Sequence, residues 1–279
     1  MRVRPRPPQR AWQGAQLRLQ DRNAIQRPKI EGHPLSAQTA SPGIVLENVS
    51  FAVAGNPILS GLTAHLTEQR IGILGRNGSG KTTLLRLLAG LVGPTSGRIR
   101  LNGIDPAADR KAALNAIGIL FQNPDHQIIF PTVEEELAFG LRQKGHSAPA
   151  ARALALLALA EHGREHWASA SVHSLSQGQR HFLCLLSVLI MSPQTILLDE
   201  PFSGLDLPTQ TRLTRLLSTL PQRLVTITHD PAMVEGYDRV LWLADGRIHR
   251  DGPAAEVAAE FRAEMARLGD ADADADHPV

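Results

Sequence analysis

The chain has 279 residues, 43% apolar and 20% charged, a soluble globular composition long enough for one large domain or two small ones. One cysteine, Cys184, excludes an internal disulfide and most cysteine-based metal clusters, and with no sign of secretion a reducing cytoplasm is expected. The net charge of +2 hides a division: residues 1–42 hold eight Lys/Arg against Asp21 and Glu31, a net of +6, which leaves a mildly acidic −4 for 43–279 and weakens a nucleic-acid reading.

Residues 1–42, rich in Arg, Gln and Pro, show no hydrophobic period and read as a disordered basic segment, a solvated tail or an arm against lipid headgroups. They lack the apolar centre of a secretory signal. From 43 to 268 β-rich and helical runs alternate, the pattern of an α/β domain with a sheet covered by helices. Strands are expected at Ile44–Phe51, Ile71–Leu74, Arg98–Leu101, Ile117–Phe121, Ile196–Asp199, Leu224–Thr228 and Val240–Leu243. Helices are expected at Lys81–Leu91, Ala150–Ala160, Gly178–Leu189, Pro208–Leu217 and Val257–Leu268. Residues 123–190 carry helical signals and no convincing strand, so they read as a helical subdomain inserted into the sheet domain. The longest apolar run, Phe182–Met191, falls short of the roughly 20 residues that cross a bilayer. Residues 269–279, with their Ala-Asp alternation, read as a disordered acidic tail.

The strand Ile71–Leu74 runs into Gly75-Arg76-Asn77-Gly78-Ser79-Gly80-Lys81-Thr82 and then the amphipathic helix that opens with Thr83. This is G-x-x-x-x-G-K-[ST], the phosphate loop of a P-loop NTPase. The glycines let successive N–H groups face phosphate oxygens, and the helix start adds its dipole. Lys81 suits the β- and γ-phosphates, and the Thr82 hydroxyl suits Mg²⁺. Downstream, Thr195–Asp199 is an apolar run that delivers Asp199 and Glu200 to the C-terminal edge of a sheet, where such folds bind ligands. Asp199 suits Mg²⁺ and Glu200 the base that polarises the attacking water.

Leu175-Ser176-Gln177-Gly178-Gln179 precedes a helical run and, taken by itself, reads as a polar helix cap. In order along the chain stand the phosphate loop, Gln122, this L-S-x-G-Q, Asp199-Glu200, Ser203-Gly204-Leu205-Asp206 and His229. Over about 44–253 the sequence therefore resembles the nucleotide-binding domain of the ATP-binding cassette family. The resemblance implies ATP and Mg²⁺ as ligands, with Gly75 to Thr83 around the phosphates and Thr82, Gln122 and Asp199 at the metal. It implies catalytic roles for Glu200, Gln122 and His229. It also implies that Ser176, Gln177, Gly178 and Gln179 meet an ATP held by a second subunit, with Asp206 at the seam. Two residues depart from the family pattern. Val53 stands where an aromatic side chain stacks on adenine, with Phe51 nearby as a substitute, and Gln177 replaces a glycine.

Phe121–Gln127, Phe130–Val133 and the Glu134-Glu135-Glu136-Leu137-Ala138-Phe139-Gly140 run resemble the ATPases of energy-coupling factor transporters, which import vitamins and cobalt or nickel ions. The segment after Gln122 then docks a membrane subunit, although Glu134–Glu136 alone reads as a solvated helix face. The resemblance implies an ATPase homodimer at the cytoplasmic face of the inner membrane, a transmembrane coupling protein and a small substrate-capturing membrane protein. The chain looks closest to the short biotin-type ATPases, with cobalt- and nickel-type ATPases as the alternative. A soluble cassette ATPase acting on nucleic acid or translation, or a small-molecule kinase, is the reading from another class.

Overall fold

A computed structural model describes residues 43–275; the basic segment 1–42 and residues 276–279 lie outside it. Nine strands and seven α-helices are present among the described residues. β1 (Ile44–Val53), β2 (Asn56–Leu66) and β4 (Ser96–Leu101) form a three-stranded antiparallel sheet in the order β2-β1-β4. The second sheet joins β3 (Arg70–Leu74), β5 (Ile117–Leu120), β6 (Thr195–Asp199), β7 (Arg223–Thr228), β8 (Arg239–Ala244) and β9 (Arg247–Pro253) in the order β5-β6-β7-β3-β8-β9. Its first five strands are parallel, and β9 closes the edge antiparallel to β8.

The parallel strands are apolar on both faces because both faces are covered. In β6 and β7, Leu197, Val225 and Ile227 face one core while Ile196, Leu198 and Leu224 face another, the period of two that a strand imposes. The first core lies between the two sheets and holds α1 (Lys81–Leu88), whose Leu84, Leu85, Leu87 and Leu88 are buried. At about 1.5–3 kcal/mol per fully buried leucine, this face fixes α1 firmly, and with it the loop at its N-terminus.

The second core joins the sheet to the helical insertion. There α3 (Val133–Gln143) and α4 (Ala148–Glu161) pack with α5 (Gln177–Leu189), alongside α6 (Leu207–Ser218). Between residues 123 and 190 the only extended pairing is an isolated bridge, Thr132 to Ser171. On the outer face of β8, α7 (Ala254–Ala275) buries Val257, Ala258 and Phe261 against Val240 and Trp242.

Several elements differ from the sequence reading, β9 among them as a strand that was not expected. The strand β2 was not expected, because Pro57 and the left-handed Gly61 (φ 65°) interrupt its alternation. A short α2 (Arg110–Ala116), capped by Asp109, precedes β5. The helix α7 runs to Ala275, past the Leu268 at which the sequence reading ended it.

Candidate active site

The three strands that matter end level with one another: Leu74 of β3 pairs with Thr228 of β7, and Asp199 of β6 with Ile227. That register brings the phosphate loop, the Asp199-Glu200 pair and His229 to one sheet edge. They line a single cavity of about 450 Å³, together with Gln122, which follows β5. Asn77, Gly78 and Gly80 to Thr83 are the loop residues that line it.

The loop geometry follows from its residues. Gly80 holds φ 98° directly before α1, a conformation that disfavours any side chain. Lys81 is buried and donates from Nζ to the carbonyls of Gly75 (2.7 Å) and Arg76 (2.9 Å). Burial lowers its pKa, against the attraction of Glu200 and Asp199. Burial, reinforced by Glu200, raises that of the Asp199 carboxyl, while Lys81 and Arg86 oppose the rise. A buried cluster of this kind is stabilised by a ligand that brings both anionic phosphate for Lys81 and positive charge for Asp199.

Glu200 is fixed from several sides. Its Oε1 lies 2.8 Å from His229 Nδ1, its Oε2 accepts from the Thr228 hydroxyl at 3.1 Å, and its N–H donates to Ile227 O at 2.9 Å. It also adopts φ 45°, rare for a residue with a side chain. Gln122 donates from Nε2 to the Ser203 hydroxyl at 3.3 Å. Thr228 was not singled out from sequence, since it carries no local signal of its own, whereas Ser203 opens the Ser203–Asp206 element.

Ser176, Gly178 and Gln179 lie elsewhere. They line a separate cavity of about 360 Å³ with Arg164, Trp167, Thr209 and Arg212. Ser176 caps α5 in a reciprocal box: its hydroxyl accepts from Gln179 N–H (3.3 Å), and the Gln179 side chain accepts from Ser176 N–H (2.8 Å). A side chain at Gly178 would collide with Thr209, its Cβ falling 2.9 Å from Thr209 Cγ2. The Gln177 amide reaches the Ser203–Asp206 turn, where an added Cβ on Gly204 would lie 2.9 Å from Nε2. Asp206 caps α6, accepting from Thr209 N–H at 3.2 Å. The Thr209 side chain and amide hold its exposed carboxyl below the ordinary carboxylate range. Neither Asp206 nor Gln177 lines the phosphate-loop cavity.

Val53 is 54% exposed at the end of β1. Phe51 packs against the core between the sheets and does not line the phosphate-loop cavity, where Ile58 is the apolar residue.

Residues 62–203 match the model of the family described as ABC transporter. The chain belongs to the ABC transporter family. It is 52% identical over 230 residues to the biotin transport ATP-binding protein BioM of Rhodobacter capsulatus, covering 82% of this chain and 98% of that protein. Among solved structures it is similar to CbiO1 from Clostridium perfringens, part of the ABC transporter complex CbiONQ, with a TM-score of 0.68, 31% identity, and coverage of 78% and 90%. It is also similar to the dimeric ATP-binding cassette MJ0796 bound to ADP and Pi, with a TM-score of 0.67, 26% identity, and coverage of 76% and 98%. The chain is thus an ABC ATPase of the energy-coupling factor importer type, which binds ATP and couples its hydrolysis to transport. No helix of the described residues is long and apolar enough to cross a membrane.

Proposed function

We propose that this ABC ATPase energises biotin uptake, as a homodimer bound at the cytoplasmic face of the inner membrane to a transmembrane coupling protein and a small biotin-capturing membrane protein. Its 52% identity to BioM over nearly the whole of that protein carries the choice of biotin over a cobalt or nickel ion. The homodimer rests on the split site: this chain keeps both the phosphate loop and the L-S-Q-G-Q cap, in separate cavities, so two copies close two complete sites.

In each site Gly75 to Thr83 bind the triphosphate, with Lys81 leaving the loop carbonyls for phosphate oxygens. Ser176 and the Gly178 N–H of the second copy meet the γ-phosphate, and Asp206 lies at the seam. Thr82, Asp199 and Gln122 line the same cavity and present a hydroxyl, a carboxylate and an amide, a donor set that fits Mg²⁺. When bound, the ion neutralises phosphate charge. Glu200 accepts a proton from the attacking water, and His229 orients Glu200 and donates to the γ-phosphate. The work is placement and electrostatics, with no covalent intermediate.

The membrane partner docks on the segment after Gln122, where Ile129 is 68% exposed. The test is biotin accumulation in cells lacking this chain. The wild type is expected to restore it and Lys81→Ala is not; restoration of cobalt or nickel uptake with no effect on biotin would refute the assignment.

A further inference from the structure

The three glutamates that open α3 have three different tasks. Glu134 pairs with Arg152 of α4 at 2.8 Å. Glu135 accepts from the Thr132 hydroxyl at 2.5 Å, closing the helix cap. Glu136 is 6% exposed, and its Oε2 accepts two backbone N–H groups, those of Ile129 and Phe130, each at 2.9 Å. A buried carboxylate is costly unless fully bonded, and an apolar side chain would fill the same space without that cost. What the carboxylate alone supplies is a fixed orientation for two successive peptide planes.

Those planes sit where the chain needs them. Ile128 packs inward on the second core, Ile129 points outward, and Phe130 lies on Phe139 with ring centroids 5.1 Å apart. Three consecutive side chains taking three directions require a held backbone. The other end of the segment is tied as well. Gln127 accepts from Phe121 N–H at 3.2 Å and donates to Cys184 O of α5 at 3.3 Å, and Asp125 pairs with Arg180 of α5 at 3.2 Å. Phe121 adjoins Gln122 of the nucleotide cavity, and α5 begins at the Ser176 cap.

We infer that Glu136 is a positioning residue that pins Ile129 outward, so that force applied there by the membrane partner passes through Gln127 and Asp125 to Gln122 and α5. This rests on the docking reading above, and the experiment separates the two. In the isolated chain, Glu136→Ala is expected to speed hydrogen exchange at the Ile129 and Phe130 amides by about tenfold or more, the loss of two charge-assisted bonds. Its ATPase activity without membrane partners is expected to stay within about twofold, since Glu136 does not line the nucleotide cavity. In the complex purified in mild detergent, the same variant is expected to lose most of the stimulation that the membrane proteins give to ATPase activity. Glu136→Gln keeps a carbonyl acceptor of the same reach and is expected to fall between Ala and wild type in both readouts, which keeps the test alive if the Ala variant does not fold. Unchanged amide exchange, or intact stimulation with fast exchange, overturns the inference. Ile129→Asp decides the underlying reading: release of the partner by this variant, with Glu136→Ala still fully stimulated, leaves docking standing and removes the role of Glu136; normal partner binding by Ile129→Asp removes both.

Discussion

Replacing Glu200 by glutamine changes charge and proton affinity while keeping shape. The side chain sits in a left-handed backbone (φ 45°) held by Ile227 O, and that strain is the same in both residues. A glutamine oxygen can still accept from Thr228, and its amide can still face His229 Nδ1, so the contacts of 3.1 and 2.8 Å have successors. Folding and the cavity are therefore expected to survive. What is lost is a carboxylate able to take a proton from water, worth about 10²–10⁴ in rate or roughly 3–5 kcal/mol of barrier. One negative charge also leaves the cavity that receives the triphosphate, so ATP is expected to bind as tightly or more tightly. The assay is phosphate release at saturating ATP, with equilibrium ATP binding and size-exclusion chromatography on the same sample. Slow turnover with an ATP-stabilised dimer is the expected result. A Glu200→Gln variant within about threefold of wild-type turnover would remove Glu200 from the base role.

Other expectations follow from neighbouring geometry. Asp199 is buried with its carboxyl pKa raised, chiefly by burial, so the folded, nucleotide-free protein binds this proton more tightly than the unfolded chain does. Its contribution to stability therefore grows as pH falls toward the ordinary carboxylate range and is lost as pH rises through the folded pKa. Asp199→Asn is expected to raise the thermal midpoint at neutral pH by a few degrees while abolishing turnover; a lowered midpoint contradicts the burial argument. Gly178→Ala drives a Cβ into Thr209 and is expected to lower ATPase activity about tenfold or more, with partial recovery in Gly178→Ala/Thr209→Ser, whereas no recovery places the defect in the second subunit's ATP instead of in the α5–α6 contact. Val53→Tyr adds a stacking face where none exists and is expected to tighten ATP binding by about 0.5–1.5 kcal/mol in direct titration; unchanged affinity shows that the base does not lie over β1.

Much of this site is legible in the sequence because its chemistry depends on residue types at fixed spacing. Gly80, Lys81 and Thr82 declare a phosphate loop wherever a strand precedes and a helix follows, and the apolar run into Asp199 declares a buried strand. What is not legible depends on which strands become neighbours. Thr228 reaches Glu200 only because β6 and β7 are adjacent and in register, a long-range fact absent from either segment. The hairpin partner β2 is hidden by Pro57 and Gly61, and β9 by its polar, edge-strand surface. Glu136 is hidden differently. Three glutamates in a row look like one solvated face, and only the turn of α3 separates the exposed Glu135 from the buried Glu136.

The central claim, an ATPase serving a biotin importer through membrane partners, is tested most directly by purifying the tagged chain from native membranes in mild detergent and identifying what accompanies it by mass spectrometry. One transmembrane coupling protein, one small membrane protein and bound biotin are expected. Recovery of the chain without any membrane subunit would contradict the claim and favour a soluble cassette ATPase, and recovery of both membrane subunits with a metal ion in place of biotin would contradict the substrate.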